Sequence, residues 1–176
     1  IKTIHHAMTG AGIDADPGRF AVHLNAADDP VIGRLIERGL HTELTGEAYA
    51  VIDGADGRVH HLRFADLEQS SDAAPGGIVE LRNWTDRHGR PGQSLWVRSD
   101  LPLGEQITAR GSSWLDRQLL SSDPVQTLGG FGTEIEQAKA ERAEHLISEG
   151  LRCNRRTYRS AAPAERRRRY GIGHLP

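Results

Sequence analysis

Histidine is the first residue type to consider for chemistry, because its ring binds metals and exchanges protons near neutral pH. The chain has nine histidines, and two pairs, His5–His6 and His60–His61, are adjacent in the sequence. Neighbours on a strand point to opposite faces, and neighbours on a helix lie about 100° apart. Neither pair suits the chelation of one ion, and no His-x-His or His-Glu-x-x-His spacing occurs. We therefore predict no metal and no cofactor, with one histidine of each pair packed and the other solvated.

Nucleophilic catalysis has equally little support. Ser112 and Ser113 lie outside the Gly-x-Ser-x-Gly elbow of a serine hydrolase, and they are better explained as helix caps. The glycine-rich stretch 129–132 opens a helix, where backbone N–H groups favour an anion. It lacks the lysine of a P-loop, so a hinge is the simpler interpretation. We predict no catalytic residue in this segment, and whether the chain acts as an enzyme stays open.

Tryptophan and arginine suggest a binding chemistry instead. Two tryptophans fall on neighbouring predicted strands, and four arginines lie close to them in the sequence. Aromatic rings stack on bases and basic residues track phosphates, so this combination is typical of single-stranded nucleic-acid binding. The six predicted DNA-binding residues are Arg82, Trp84, Arg87, Arg90, Trp96 and Arg98. The alternative is that both tryptophans belong to the core of a domain in which aromatic residues are only 5% of the chain.

The elements that must position these residues begin with a helix and a linker. Residues 1–10 are predicted to end a helix that continues from an upstream domain, because Ile4 and Met8 share one helical face. Residues 11–29 are rich in glycine, aspartate and alanine and are predicted to be a linker. A short strand is compatible with the alternation of apolar residues over 20–24.

Residues 30–99 predict a small antiparallel β-barrel of SH3-like or OB-like type. Its first segment, 30–40, fits either a helical stripe or a strand interrupted by glycines, and we favour the strand because clear strands follow. Two hairpins come next. The Asp-Gly pairs within 53–57 and the glycines within 86–92 are typical of turns between alternating apolar residues.

The pattern becomes helical after residue 99. A C-terminal arm of two helices is predicted over 100–151, and its second helix runs from a capping pattern at Thr133 to a C-cap at Gly150. Arg142 of that helix is assigned to the solvent-exposed surface. The predicted fold class is therefore α+β, a small antiparallel SH3-like or OB-like β-barrel followed by a two-helix C-terminal arm.

Charge is unevenly distributed along the chain. The whole sequence of 176 residues has a net charge of −2. Residues 152–176 contain eight arginines and one glutamate, or +7, so the remainder carries −9. The basic tail, 152–176, either contacts phosphates or is solvated and disordered.

Composition also bears on location. The longest uninterrupted apolar run, 48–52, is far too short to cross a membrane, and no signal peptide is recognisable. One cysteine, Cys153, excludes an internal disulfide and fits a reducing cytosol. We expect a cytoplasmic segment of a longer polypeptide that does not insert into a membrane, since the chain starts at Ile1 without a methionine.

Three segments together resemble a known family. They are GEAYAVIDGADGRVHH at 46–61, WLDRQL at 114–119, and GFG at 130–132 with RAEHL at 142–146. In this order they resemble the C-terminal domain of unknown function in VirD2-like relaxases, the mobilisation nucleases of proteobacterial plasmids and integrative elements. The opening residues 1–8 resemble the helix that leads into that domain. After residue 151 the sequence departs from the family, as a truncated or frame-shifted gene end would.

The resemblance implies a function without a catalytic centre in this segment. Relaxases of this kind nick one DNA strand through an N-terminal domain with a tyrosine nucleophile and a metal-binding His-hydrophobe-His cluster. This chain lacks that cluster, and Tyr49, Tyr158 and Tyr170 lie outside any matching context. The resemblance thus implies an accessory region of a bacterial conjugative relaxase, which assists plasmid transfer by binding single-stranded or transfer-origin DNA or the transfer machinery. The alternative is a protein-interaction module that recruits the relaxase to the type IV secretion coupling protein without contacting DNA.

Overall fold

The computed structural model describes residues 2–14, 16–23 and 30–165, with backbone only for 151–165. These residues form an α+β fold with six strands and four α-helices. In chain order the elements are α1 (Lys2–Gly10), β1 (Phe20–Val22), β2 (Ile32–Leu40), β3 (Ala48–Gly54), β4 (Val59–Phe64), β5 (Ile78–Thr85), β6 (Pro91–Ser99), α2 (Leu103–Ile107), α3 (Trp114–Leu120) and α4 (Phe131–Glu165).

The strands form one mixed sheet in the order β1-β4-β3-β2-β5-β6. The short β1 pairs with β4 in parallel, and the other neighbouring strands are antiparallel. β2 has a bulge between Leu35 and Glu37, so Ile36 is an extra residue that shifts the apolar pattern from one face to the other. This shift explains why the segment also fits a helical stripe. The strand prediction for it is confirmed.

Both predicted hairpins are confirmed. In the β3–β4 turn, Gly54 donates its N–H to the carbonyl of Arg58 at 2.7 Å, and Gly57 has a φ of +81°. In the β5–β6 turn, Asp86 donates to the carbonyl of Arg90 at 2.9 Å. The positive φ of Gly57 explains the glycine there, because other residues adopt this conformation at a cost.

The predicted closed barrel is not confirmed. Among the described residues the sheet stays open between its edge strands, β1 and β6. The sheet nevertheless curls, since Gln93 of β6 donates from Nε2 to the carbonyl of Arg63 of β4 at 2.7 Å. The inside of the curl is filled by one aliphatic-rich core, whose main members are Val31, Leu35, Ala48, Ala50, Ile52, Leu62, Phe64, Ala73, Val79, Leu81 and Leu95.

The outer face of the sheet is covered by helices in two places. α1 packs Ile4 and Met8 against Ile36, Val51 and Val59 of β2, β3 and β4. The helix predicted at the start of the chain is thus confirmed, and it packs on the sheet. Burying such aliphatic side chains stabilises the fold by roughly 1.5–3 kcal/mol each.

The second cover is formed by the helices that follow the sheet. Ile78 of β5 packs with Leu115 of α3 and with Phe131 and Ile135 of α4. Of the two serines predicted as helix caps, Ser113 caps α3, in a capping box with Asp116. The two-helix arm is not confirmed, because three helices follow the sheet and pack both on it and on one another.

α4 is longer than the sequence pattern predicts. The helix passes through Gly150 and ends at Glu165, so the predicted C-cap at Gly150 is wrong. A glycine inside a helix costs only about 1 kcal/mol relative to alanine, and Gly150 does not adopt the positive φ of a cap. The basic tail therefore begins inside this helix, while the rest of it, 166–176, lies outside the described residues. Among the described helices, none is long and apolar enough to cross a bilayer.

Arg142 of α4 is buried, with 2% of its surface exposed, so its assignment to the surface is wrong. Its Nε and Nη2 donate to the carboxylate of Asp116 in α3, each at 2.9 Å. Its Nη1 and Nη2 also donate to the carbonyls of Ile107, Ala109 and Gly111 at 3.1, 2.7 and 3.1 Å. One guanidinium thus ties α4 to three backbone carbonyls from the end of α2 to the start of α3.

Candidate functional site

The outer face of the β5–β6 hairpin is left uncovered beyond Ile78. The register pairs Glu80 with Trp96, Arg82 with Ser94 and Trp84 with Gly92, and cross-strand partners share a face. All six residues therefore lie on the same side of the hairpin. We call these six residues together with Arg98, which follows Trp96 by two positions, the hairpin face.

Both tryptophans of the hairpin face are exposed to solvent. Trp84 has 41% of its surface exposed and Trp96 has 51%, whereas Trp114 in the helical layer has 4%. The alternative that Trp84 and Trp96 belong to the core is therefore wrong. Large aromatic rings on an open face are a common feature of ligand-binding surfaces.

Trp96 is held by two neighbours on its own face. Its indole Nε1 donates to Oγ of Ser94 at 3.2 Å. The guanidinium carbon of Arg82 lies 4.8 Å from the centre of the ring, which is within the range of an attractive cation–π contact. The ring is thus fixed in orientation while half of its surface remains open.

Glu80 lies between two arginines of the hairpin face. Its carboxylate accepts from Nε and Nη2 of Arg98, and its Oε1 lies 3.5 Å from Nε of Arg82. The glutamate side chain is 14% exposed, compared with 41% for Arg82 and 35% for Arg98. This arrangement holds both guanidinium groups in place and leaves the three residues with a combined charge of +1.

Trp84 depends on the glycine opposite it. A Cβ atom at Gly92 would lie 2.3 Å from the six-membered ring of Trp84, far inside van der Waals contact. The absence of a side chain at position 92 therefore leaves the space that the Trp84 ring occupies at the far end of the hairpin face.

The turn beyond Trp84 carries the remaining predicted residues. Oδ1 of Asp86 accepts from the backbone N–H groups of His88 and Arg90 at 2.8 and 2.9 Å, and its Oδ2 accepts from Nε of Arg90 at 3.0 Å. The hydrogen bond from the backbone of Arg90 is the largest of several that lower the pKa of Asp86. Arg87 is exposed at the same turn. The structure thus brings Arg82, Trp84, Trp96 and Arg98 together and sets Arg87 and Arg90 at the end of the hairpin.

Sequence analysis does not predict the contacts that link the side chains of His23, His60 and Asp56. Nδ1 of His60 lies 2.9 Å from Nε2 of His23, and Nε2 of His60 lies 3.0 Å from Oδ1 of Asp56. Burial opposes ionisation of Asp56, but the hydrogen bonds from His60 and from the backbone of Arg58 lower its pKa. An ionised Asp56 must accept from Nε2–H of His60, which ties the end of β1 to the β3–β4 turn.

The other histidine of the pair faces the opposite side of β4. His61 stacks on Tyr49 with ring centres 5.7 Å apart, and burial, followed by the nearby charge of Arg63, lowers its pKa. His60 is 4% exposed and His61 8%. The prediction that one member of this pair is solvated is therefore wrong. β1 pairs with β4 beside both histidines, and α1 packs on Val59 of the same strand.

Asp53 is a third polar residue whose burial the sequence pattern does not indicate. It is 1% exposed and accepts from Nη2 of Arg19 at 2.7 Å and from Nη2 of Arg34 at 2.9 Å. Arg34 also donates to Glu134 of α4 at 3.0 Å. These contacts tie the linker, β2, β3 and α4 together. Within the described ranges no three histidine, cysteine or acidic side chains are placed to hold a metal ion.

Comparison with known proteins gives a family without an assigned activity. A family model described as "Protein of unknown function (DUF3363)" matches residues 1–92 and 83–170. No curated protein and no solved structure matches the chain.

Proposed function

The chain belongs to the DUF3363 family of proteins of unknown function, and we propose that it binds single-stranded nucleic acid on the hairpin face. The observation that carries this proposal is the exposure of Trp84 and Trp96 beside arginines that are already held in position. Base–aromatic stacking contributes roughly 1–3 kcal/mol per base and tolerates any sequence.

Local charge supports a polyanionic ligand on this face. The hairpin face and its turn carry Arg82, Arg98, Arg87 and Arg90 against Glu80 and Asp86, an excess of two positive charges. The chain as a whole carries −2. A phosphate backbone would therefore be attracted to this hairpin and repelled by much of the remaining surface.

We further propose that this binding serves conjugative DNA transfer. The segments at 46–61, 114–119 and 130–132 with 142–146 resemble the C-terminal domain of VirD2-like relaxases, and no catalytic residue of such enzymes can be transferred onto this chain. Its part would then be to hold single-stranded or transfer-origin DNA for a nuclease domain elsewhere. This assignment depends on the resemblance and not on the geometry of the hairpin face.

A second candidate function is the docking of a basic protein partner, such as the type IV coupling protein. Its support is a groove of about 300 Å³ between α2 and α4, lined on one side by Glu134, Gln137 and Glu141. Acidic grooves suit lysine or arginine side chains. Glu134 is already bonded to Arg34 at 3.0 Å, which leaves this groove with less free charge than the hairpin face has.

Titration of the whole chain with a fluorescent thymidine oligonucleotide, followed by anisotropy at two salt concentrations, tests the proposal. We expect binding that weakens steeply as salt rises, and Trp96→Ala should weaken it about tenfold or more. Leu44→Ala is the matched control, since Leu44 is 96% exposed and lies outside the hairpin face. Equal affinities for the wild-type chain and a folded Trp96→Ala variant would reject the hairpin face as the site.

A further inference from the structure

We propose that Arg82 reads guanine on the hairpin face, so that the site prefers a single strand containing this base. The inference rests on the proposed function and makes it more specific. It is based on the position of Arg82 between the Trp96 ring and the Glu80 carboxylate, and on the Nη1 and Nη2 donors that these two contacts leave available.

The contacts of Arg82 leave its terminal nitrogens available. Its Nε faces Oε1 of Glu80 at 3.5 Å, and its guanidinium carbon lies 4.8 Å from the centre of the Trp96 ring. The structure records no bond from its Nη1 or Nη2 to another described residue, and 41% of the side chain is exposed. The donors of a guanidinium form a fixed, planar fork that suits two adjacent acceptors.

Guanine carries such a pair of acceptors. Its O6 and N7 lie side by side on one edge, whereas adenine has one acceptor and one donor there. Thymine has no two adjacent acceptors, because its N3–H lies between O2 and O4. A guanine that accepts from Arg82 would also lie beside the exposed part of Trp96. Hydrogen bonding and stacking would thus act on the same base.

Glu80 is the reason to favour a base over a phosphate at Arg82. Its carboxylate lies within the same cluster and repels a second anion, while it repels a neutral base edge far less. Because Glu80 already neutralises part of the charge on Arg82 and Arg98, the gain from adding a phosphate is reduced. The hydrogen-bonding fork of Arg82 is unaffected by this neutralisation.

The experiment compares three oligonucleotides on the whole chain: all thymidine, the same strand with one central guanine, and the same strand with 7-deazaguanine, which lacks N7. We expect the guanine strand to bind about tenfold more tightly than the thymidine strand, as one good bidentate contact allows. Most of this gain should disappear with 7-deazaguanine.

Three substitutions test whether Arg82 is the residue responsible. Arg82→Lys keeps the charge and removes the fork, so the preference for guanine should fall to less than twofold. Arg58→Lys makes the same change at an exposed position of the β3–β4 turn and should retain the full preference. Glu80→Gln removes the negative charge that repels phosphate, so the all-thymidine strand should bind more tightly. The ratio of affinities between the guanine and thymidine strands should therefore decrease.

The outcomes separate the two proposals. Equal binding of the guanine and thymidine strands, or a preference that survives in Arg82→Lys, would overturn guanine recognition by Arg82 and leave the proposed function standing. A preference that survives with 7-deazaguanine would overturn the bidentate contact. Failure of every strand to bind would reject the proposed function itself.

Discussion

Arg142 and Asp116 join α4 to α3 through two parallel hydrogen bonds, Nε to Oδ1 and Nη2 to Oδ2, each 2.9 Å long. Arg142 is 2% exposed and Asp116 15%. The same guanidinium serves three backbone carbonyls of the segment between α2 and α3. One buried charge pair thus joins α4 to α3 beside the apolar cluster that covers Ile78.

Replacement of Arg142 by methionine should strongly destabilise the fold. The change leaves Asp116 as a charge without its partner and removes the donor to three backbone carbonyls. Breaking a buried pair in this way costs about 3–5 kcal/mol. Urea unfolding followed by circular dichroism measures the loss. Lys139→Met on the same helix is the control, because Lys139 pairs with the exposed Glu136 and should contribute less than about 1 kcal/mol. Similar losses in the two variants would contradict the role assigned to Arg142.

Stability should fall in acid because Asp116 must be protonated. The hydrogen bond from Arg142, aided by those from Ser113, outweighs burial and lowers the pKa of Asp116 to about 2 from its ordinary value of 3.8. Because the pKa of Asp116 is lower in the folded state than in the unfolded state, its ionisation stabilises the fold. This contribution is fully present above the ordinary pKa and is lost as pH falls from about 4 to about 2. At 1.36 kcal/mol per pKa unit, the contribution is on the order of 2 kcal/mol.

Unfolding free energies of the wild-type chain and of Asp116→Asn across this pH range give the test. The variant should be less stable at neutral pH, and the difference between the two proteins should shrink as pH approaches 2. Other carboxylates, such as Asp56, titrate in both proteins and cancel in the difference. A difference that does not change with pH would show that Asp116 is not held ionised by Arg142.

Substitution of Gly92 by alanine should impair binding without unfolding the chain. The new Cβ would overlap the Trp84 ring, and this ring can swing away because 41% of its surface is exposed. The ring would then leave the hairpin face, and affinity for a thymidine oligonucleotide should fall about fivefold or more. Anisotropy measures the affinity, and the melting temperature checks the fold. Gly104→Ala, in α2, provides a glycine control outside the hairpin face, because a Cβ there would meet no atom within 4 Å. Unchanged affinity in Gly92→Ala would exclude Trp84 from the site.

The strands and turns are predictable from sequence because their signals are local. The Asp-Gly pairs of 53–57 set the β3–β4 turn, and apolar alternation with a glycine-rich turn sets the β5–β6 hairpin. Even the ambiguity of 30–40 has a local cause, the bulge around Ile36. The grouping of Trp84, Trp96, Arg82 and Arg98 on one face also follows from strand alternation once the hairpin is predicted.

Burial of polar groups is not predictable in this way. Helical periodicity treats Arg142 as a surface residue, since nothing in its neighbourhood shows that Asp116 lies 26 positions earlier with a matching carboxylate. His60, which contacts His23 across 37 positions, and Asp53, which contacts Arg19 across 34, are missed for the same reason. The curl that brings Gln93 to Arg63 is likewise a tertiary effect. Local sequence signals therefore do not show whether the sheet closes into the predicted barrel or stays open.

The indole N–H signals of the three tryptophans give the most direct test of nucleic-acid binding on the hairpin face. In a ¹⁵N-labelled chain titrated with a thymidine oligonucleotide, the signals of Trp84 and Trp96 should shift as the strand binds, while that of Trp114, buried under α4, stays in place. Assignment by single tryptophan-to-phenylalanine variants identifies each signal. Binding that leaves Trp84 and Trp96 unshifted, or a titration that shifts none of the three, would contradict the central claim.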